Sequence, residues 1–218
     1  MIVYATHKGG RYLSIADSLK EMPTGERNIY VNLTNRCNCA CTFCLRNMKD
    51  MAEESSLWLK SEPTVEEVKA ELDTVPWDMV REVVFCGFGE PTLRLDALIE
   101  LLRYVKEQKH KPTRLNTNGL AELEYDENVA AKFAGILDTV SISLNASNAE
   151  RYLELTRAKY GAKSYEGMLT FAEHMKKYVP NVVLTIVDKV EGAEEIALCQ
   201  KICDSRGLTL RVREYEDS

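Results

Sequence analysis

Short runs of strand-forming residues recur along this chain, separated by stretches with helical spacing, and that alternation restricts the fold more than any other feature. Ile29–Leu33 (IYVNL), Glu82–Cys86 (EVVFC), a short run ending at Arg114–Asn116, Asp138–Leu144 (DTVSISL), Val182–Val187 (VVLTIV) and Leu208–Val212 carry the residues that suit a pleated surface. Val65–Asp73, Leu95–Gln108, Tyr165–Tyr178 and Ala193–Ser205 place apolar residues at helical intervals, and Asn128–Phe133 begins in the same way. Thr64 is placed to cap the first of these helices. Six strands separated by helices predict βαβ units, hence parallel strands and right-handed crossovers. The expected class is α/β; periodicity by itself fits both an open doubly wound sheet and a barrel.

At the N-terminal end, Ile2–Ala5, the turn-like His7-Lys8-Gly9-Gly10 and Tyr12–Ile15 predict a small hairpin, followed by a polar stretch with Pro23 and Gly25. We expect an N-terminal extension over residues 1–28 and a core domain over residues 29–218. A chain of 218 residues suffices for one full hydrophobic core, and 45% apolar with 28% charged residues is an ordinary globular balance. The net charge of −6 lacks the basic face that a broad nucleic-acid footprint needs. No apolar run approaches the ~20 residues of a bilayer span, and Met1–Gly10 lacks the apolar centre of a secretory signal. A cytoplasmic protein with no membrane partner is expected. The basic run Lys106–Lys111 (KEQKHK) reads as a solvated helix end.

Of seven cysteines, four crowd one loop as Cys37, Cys39, Cys41 and Cys44, while Cys86, Cys199 and Cys203 are scattered. In a reducing compartment such a cluster points to metal rather than disulfides. The C-x3-C-x2-C spacing of Cys37, Cys41 and Cys44 lets three thiolates converge on one face of an iron–sulfur cubane, leaving its fourth iron free to chelate a small molecule. A structural zinc site is the alternative; it needs four protein ligands, with Cys39 or His7 as the last, and no second C-x2-C pair follows. Cys39 falls outside the spacing and is expected to stand apart. Cys199 and Cys203 read as buried small hydrophobes on a helix rather than a second metal site. Three further segments end predicted strands, where α/β folds bind ligands: Cys86-Gly87-Phe88-Gly89-Glu90-Pro91-Thr92, Asn116-Thr117-Asn118-Gly119 and Ser141-Ile142-Ser143-Leu144-Asn145. The glycines let backbone approach a ligand, and the Glu90 carboxylate can pair with an ammonium.

The cysteine loop resembles the signature of the radical S-adenosylmethionine (SAM) superfamily. The three later segments resemble that family's G-G-E-P, T-N-G and S-x-S-hydrophobic-polar motifs in the family's order, with one residue inserted between the two glycines. Within the superfamily the chain is most like the small TatD-associated proteins over about residues 29–215, through Y-V-N-L-T-N-R-C, S-L-W-L, V-F-C-G-F-G-E-P-T, N-T-N-G-L, D-T-V-S-I-S-L-N-A and R-V-R-E-Y. Its compact size is also similar to that of 7-carboxy-7-deazaguanine synthase, although Leu45-Arg46 stands where that enzyme has an Asp-Thr pair.

The resemblance implies a partial (β/α)6 TIM-type barrel and a [4Fe–4S] cluster held by Cys37, Cys41 and Cys44, with SAM on the open iron. It implies Gly87, Gly89 and Glu90 at the SAM amino group. Asn118, Ser143 and Asn145 would reach its carboxylate, sulfonium or ribose, and Ile186-Val187 its adenine. The implied reaction cleaves SAM reductively to methionine and a 5′-deoxyadenosyl radical that abstracts hydrogen from an unidentified substrate, with a small molecule favoured and a flavodoxin- or ferredoxin-type electron donor. Arg46, and Arg211 with Arg213 on one face of the last strand, are candidates to clamp an anionic substrate, a surface salt bridge being the plainer reading. Trp58 is expected in packing, and His110 and His174 on helix surfaces. Three alternatives stay open: an enzyme modifying deazapurines or nucleotides, a glycyl-radical activating enzyme, and a non-catalytic Fe–S or zinc-binding module.

Overall fold

A computed structural model describes residues 1–7, 10–48, 56–190 and 192–214. Strands β1 (Val3–His7) and β2 (Arg11–Leu13) form the expected antiparallel hairpin; Lys8 and Gly9 of its turn, like Tyr215 at the end of the last motif, lie outside the described residues. β1 continues antiparallel onto β3 (Arg27–Val31), with Tyr4 opposite Tyr30. From β3 onward, β4 (Val80–Phe85), β5 (Thr113–Thr117), β6 (Thr139–Ser143), β7 (Asn181–Val187) and β8 (Thr209–Arg213) are added in chain order, each parallel to the last. The result is one eight-stranded sheet, β2-β1-β3-β4-β5-β6-β7-β8.

Every crossover steps the same way, so the connecting helices collect on one face. These are α3 (Val65–Asp73), α4 (Leu95–Tyr104), α5 (Ala121–Tyr125), α6 (Ala149–Thr156), α7 (Lys163–Met175) and α8 (Ala193–Arg206). Alternate strand residues on that face (Val83, Phe85, Leu115, Val140, Ile142, Leu184) are fully buried in one core with Leu98, Leu101, Leu102 and Phe171 of the helices. Burying side chains of this size contributes about 1.5–3 kcal/mol each, which holds the helical layer to the sheet.

The opposite face carries Glu82, Arg114, Asn116, Ser141, Ser143, Thr185 and Arg211, and it is concave. Arg211 of β8 donates to Ser141 Oγ of β6 at 3.3 Å. The Glu82 carboxylate of β4 and Tyr30 of β3 also act on its guanidinium. In a flat sheet β4 and β8 would stand about 19 Å apart at the usual strand spacing. The sheet is therefore curled around this polar face into an unclosed barrel.

Four helices fall outside the sequence expectation. α1 (Ile15–Glu21) replaces part of the polar stretch; Ser14 caps it by accepting from Asp17 N at 3.1 Å, which takes Ile15 out of the hairpin. α6 is capped by Asn148, which accepts from Arg151 N at 2.9 Å. α5 follows the Asn118-Gly119 turn. A four-residue helix, α2 (Leu45–Met48), ends the cysteine loop. The Lys106–Lys111 run is tied down rather than solvated: Lys106 pairs with Asp138 at 2.9 Å, Lys109 pairs with Asp73 at 2.6 Å over the Trp77 and Tyr104 rings, and Lys111 donates to Val80 O. No helix among the described residues is long and apolar enough to cross a membrane.

Candidate active site

Thr34–Cys44 leaves the C-terminal end of β3 as an irregular loop, so its backbone groups need partners elsewhere. They find them on α6 and just beyond it: Ala40 N donates to Thr156 O and Thr42 N to Leu155 O, both at 2.9 Å, and Asn38 O accepts from Lys159 N at 2.9 Å. On the other side, Asn35 exchanges two hydrogen bonds with the Leu59 backbone, and Arg36 pairs with Glu62 at 2.6 Å. The loop is clamped from both flanks, which fixes where its thiols sit.

Cys37, Cys41 and Cys44 are all free and half-buried. The Cys39 thiol beside them, followed by the more distant Arg46 guanidinium, favours the thiolates of Cys37 and Cys41 and holds both below the usual range against the opposing cost of burial. Burial pushes the Cys44 thiol up, again opposed by Arg46. Arg46 donates to Cys39 O at 3.4 Å, so it belongs to the loop's electrostatics. Cys39 lies closer to the ligand candidates than its spacing suggested. It is 4% exposed, its backbone N–H donates to Cys37 Sγ at 3.4 Å, and its thiol, held protonated, serves both neighbours. His7, the other candidate for a fourth zinc ligand, is engaged on the hairpin, 3.4 Å from Arg11 and 3.6 Å from Glu21.

The Gly87–Glu90 loop after β4 packs directly on the cysteine loop. Glu90 N donates to Arg36 O at 2.8 Å. A Cβ at Gly89 would fall 2.2 Å from Thr34 O, and one at Gly87 would fall 2.2 Å from Asn32 Oδ1. Only glycine permits this approach. Phe88, between them, turns away into a small cluster with Tyr4, Tyr12 and Leu57, and meets the exposed Trp58 edge-on at 5.3 Å.

Glu90 itself faces inward, 3% exposed. Its carboxylate accepts from Thr92 N and Oγ1 (3.1 and 2.8 Å), Thr117 Oγ1 (2.7 Å) and Asn118 N (2.8 Å). Burial raises its pKa, and these four donors oppose the rise. Glu90 thus ties the β4 loop to the end of β5. Asn118 completes the junction: its Nδ2 donates to Asn38 Oδ1 at 2.6 Å and lies 3.6 Å from Cys39 Sγ and 3.9 Å from Cys37 Sγ.

Cys37, Cys41, Gly89, Glu90 and Asn118 therefore share one junction of strand ends. Ser143 and Asn145 lie further along the same edge, at the end of β6. Asn145 adopts φ 60°, a left-handed conformation that asparagine tolerates well, and its N–H donates to Thr185 O at 3.2 Å. Ile186 is not on this side; it is 1% exposed within the helical core, and strand alternation leaves Val187 alone facing inward. Cys199 and Cys203 are fully buried, away from the loop, and burial pushes the Cys203 thiol up to about 11. His174 contacts Glu122 at 2.8 Å.

Two residues escaped the sequence reading. Tyr152 is 1% exposed, beside Cys39 and Cys41, with the Thr156 side chain as its polar neighbour. Its aromatic position on α6 gave no signal. Arg114 lies on the concave face; stepping back by two from Asn118 and Asn116 along β5 would have found it.

The junction also tests the implied cofactor. Cys37, Cys41 and Cys44 are three free thiols on one loop, and an iron–sulfur cubane takes one thiolate on each of several irons. The Tyr152 hydroxyl, beside Cys39 and Cys41, can donate to sulfur, and the lowered pKa of Cys37 and Cys41 favours the thiolate that binds iron. The residues present fit an iron–sulfur cluster.

Residues 31–199 match the family model described as the Radical SAM superfamily. The chain is 30% identical over 179 residues to a protein of Methanocaldococcus jannaschii provisionally named a glycyl-radical enzyme activating enzyme, covering 77% of this chain and 66% of the relative. It is 31% identical over 199 residues to GTP 3′,8-cyclase of Corynebacterium glutamicum, covering 86% and 48%. The chain thus spans about half to two thirds of the length of these relatives. In structure it resembles Streptococcus suis SuiB bound to S-adenosylmethionine, with TM-score 0.64 at 18% identity over 92% of this chain and 42% of that one. Methylornithine synthase PylB gives 0.61 at 19% identity over 86% and 53%. At these identities the two structures speak for the fold.

Proposed function

Because this chain belongs to the radical SAM superfamily, we propose that it is a radical SAM enzyme whose [4Fe–4S] cluster is held by Cys37, Cys41 and Cys44. The observation that carries this reading is the junction itself: three free thiols at the end of β3, met by the Gly87–Glu90 loop and by Asn118. When bound, the cluster and SAM supply reductive cleavage to methionine and a 5′-deoxyadenosyl radical, which takes hydrogen from a substrate. Everything else falls to the chain's own groups. Arg46 and Cys39 favour the thiolates of Cys37 and Cys41. The Gly87–Gly89 backbone would hold SAM's amino group, with Glu90 bracing it from within. Asn118, Ser143 and Asn145 line the strand ends where the rest of SAM would lie, and Val187 offers an apolar contact. Phe43 within the loop and Tyr152 beside it limit water.

In this reading residues 29–218 form the catalytic core and residues 1–28 an extension that lengthens its sheet. The finer placement is with the small TatD-associated proteins, supported by the quoted motifs. The substrate is a small molecule, a flavodoxin- or ferredoxin-type protein supplies electrons, and the protein is cytoplasmic. A second reading, activation of a glycyl-radical partner, is favoured by the similarity to the Methanocaldococcus jannaschii relative.

Anaerobic reconstitution with iron and sulfide, then dithionite and SAM, tests the proposal: 5′-deoxyadenosine is the expected product. An intact cubane that yields none defeats it. Cys41→Ala is expected to lose cluster absorbance and product together.

A further inference from the structure

The concave face holds more positive charge than the site above uses. Arg114, Arg211 and Arg213 all occupy it: Arg114 by register with Val84 on β4, and the other two by alternation along β8, where Thr185 pairs with Arg211 and Val187 with Arg213. One carboxylate answers them, Glu82, which bonds Arg114 at 2.7 Å and also accepts from Asn28 at 3.0 Å. Arg211 and Arg213 form no ion pair among the described residues. Arg211 reaches Ser141 Oγ instead, and Arg213 is near enough for its charge to act on Cys86 and on Arg211. Arg211 and Arg213 are exposed on the edge strand, where water screens their charges and leaves both guanidiniums accessible to an anion.

Neighbouring polar atoms are also left over. Arg114 Nε and Asn116 Oδ1 are buried without hydrogen-bond partners, although the Arg114 side chain is only 15% exposed. Buried polar atoms without partners are uncommon and mark places where a missing group belongs. Two exposed guanidiniums and a half-satisfied third thus face the same concave side of the sheet, while the Asn116 amide oxygen, an acceptor, is left for a donor rather than for an anion. Guanidinium forks match the geometry of carboxylate and phosphate.

We propose that the substrate carries a compact oxyanion, a carboxylate or a phosphate, which Arg211 and Arg213 bind on the concave face with Arg114 behind them. This rests on the enzyme reading above, because it places the anchored molecule inside the barrel whose rim holds the cluster loop. Arg213 stands beside Val187 at the end of β8, and Arg211 lies two residues further from the strand ends where the SAM groups lie.

The test titrates inorganic phosphate, and separately malonate, into anaerobically reconstituted protein saturated with SAM, by calorimetry at low salt. The wild type is expected to bind one probe at a single site, and which probe binds distinguishes a phosphate-bearing from a carboxylate-bearing substrate. Arg211→Gln with Arg213→Gln is expected to weaken binding at least about tenfold, since each lost charge-assisted bond is a strong one. The double Lys variant is expected to fall between, keeping charge without the fork. Arg103→Gln, on the outer surface of α4, is expected to change neither probe binding nor SAM cleavage. If the double Gln variant does not fold, Arg213→Gln alone carries the comparison. Failure to bind either probe, equal binding by the Gln variants, or displacement of the probe by SAM overturns the proposal. 5′-Deoxyadenosine is measured on the same sample. Product without a bound anion defeats the anion site and leaves the enzyme reading intact; a bound anion without product from an intact cluster does the reverse.

Discussion

At Gly89 a methyl group has nowhere to go: its carbon would meet Thr34 O at 2.2 Å and Arg36 O at 2.6 Å, both backbone atoms. Gly89→Ala must part the two loops, so cluster incorporation is expected to fall sharply, read from the visible absorbance of the reconstituted protein. Gly87→Ala differs in kind. Its nearest obstacles are Asn32 Oδ1 and Cγ, side-chain atoms that Asn32→Ala removes, leaving only a 3.1 Å approach to Cβ. The double variant is therefore expected to recover absorbance that Gly87→Ala loses, whereas no second substitution relieves Gly89. Glu90 makes a prediction about pH. Its carboxyl is raised by burial, so its contribution favours the folded state at low pH and fades as pH climbs from the unfolded carboxylate range through the raised value. The melting temperature of cluster-free wild type, minus that of Glu90→Gln, is expected to decline across that window; a flat difference would mean that burial does not perturb this group.

The six parallel strands were legible because each is a short apolar run that one helical layer must cover, and α3 because Thr64 announces it. Thr64 accepts from Glu67 N at 3.1 Å while Glu67 returns a bond to Thr64 N at 2.7 Å. Thr64→Ala is expected to cost about 1 kcal/mol in chemical denaturation. Leu101 of α4, fully buried, is expected to cost about 2–5 kcal/mol as Leu101→Ala. By contrast α6 was missed because it is short and largely polar, and its value to the fold is the pair of carbonyls it lends to the cysteine loop. The cluster motif was legible from spacing, as was Asn118 from its turn. The inward commitment of Glu90 was not, since nothing local tells whether a carboxylate faces ligand or protein. Nor was the company that Cys39 keeps, which depends on how the loop folds back on itself.

Over the whole molecule, the hairpin closes one side of the sheet. β1 covers the β3 edge, and Tyr4 stacks on Tyr30 at 5.3 Å with its hydroxyl 3.4 Å from Cys86 Sγ. Deleting residues 1–14 would bare a row of backbone donors and acceptors on β3, and the truncated protein is expected to self-associate in size-exclusion chromatography. The same alternation that puts Leu115 and Ile142 among the helices hangs Arg114, Asn116 and Ser141 over the hollow on the very same strands. Descendants of this chain can thus exchange the residues of the hollow while leaving untouched those that keep it folded, so a lineage is free to change what it works on without first becoming fragile.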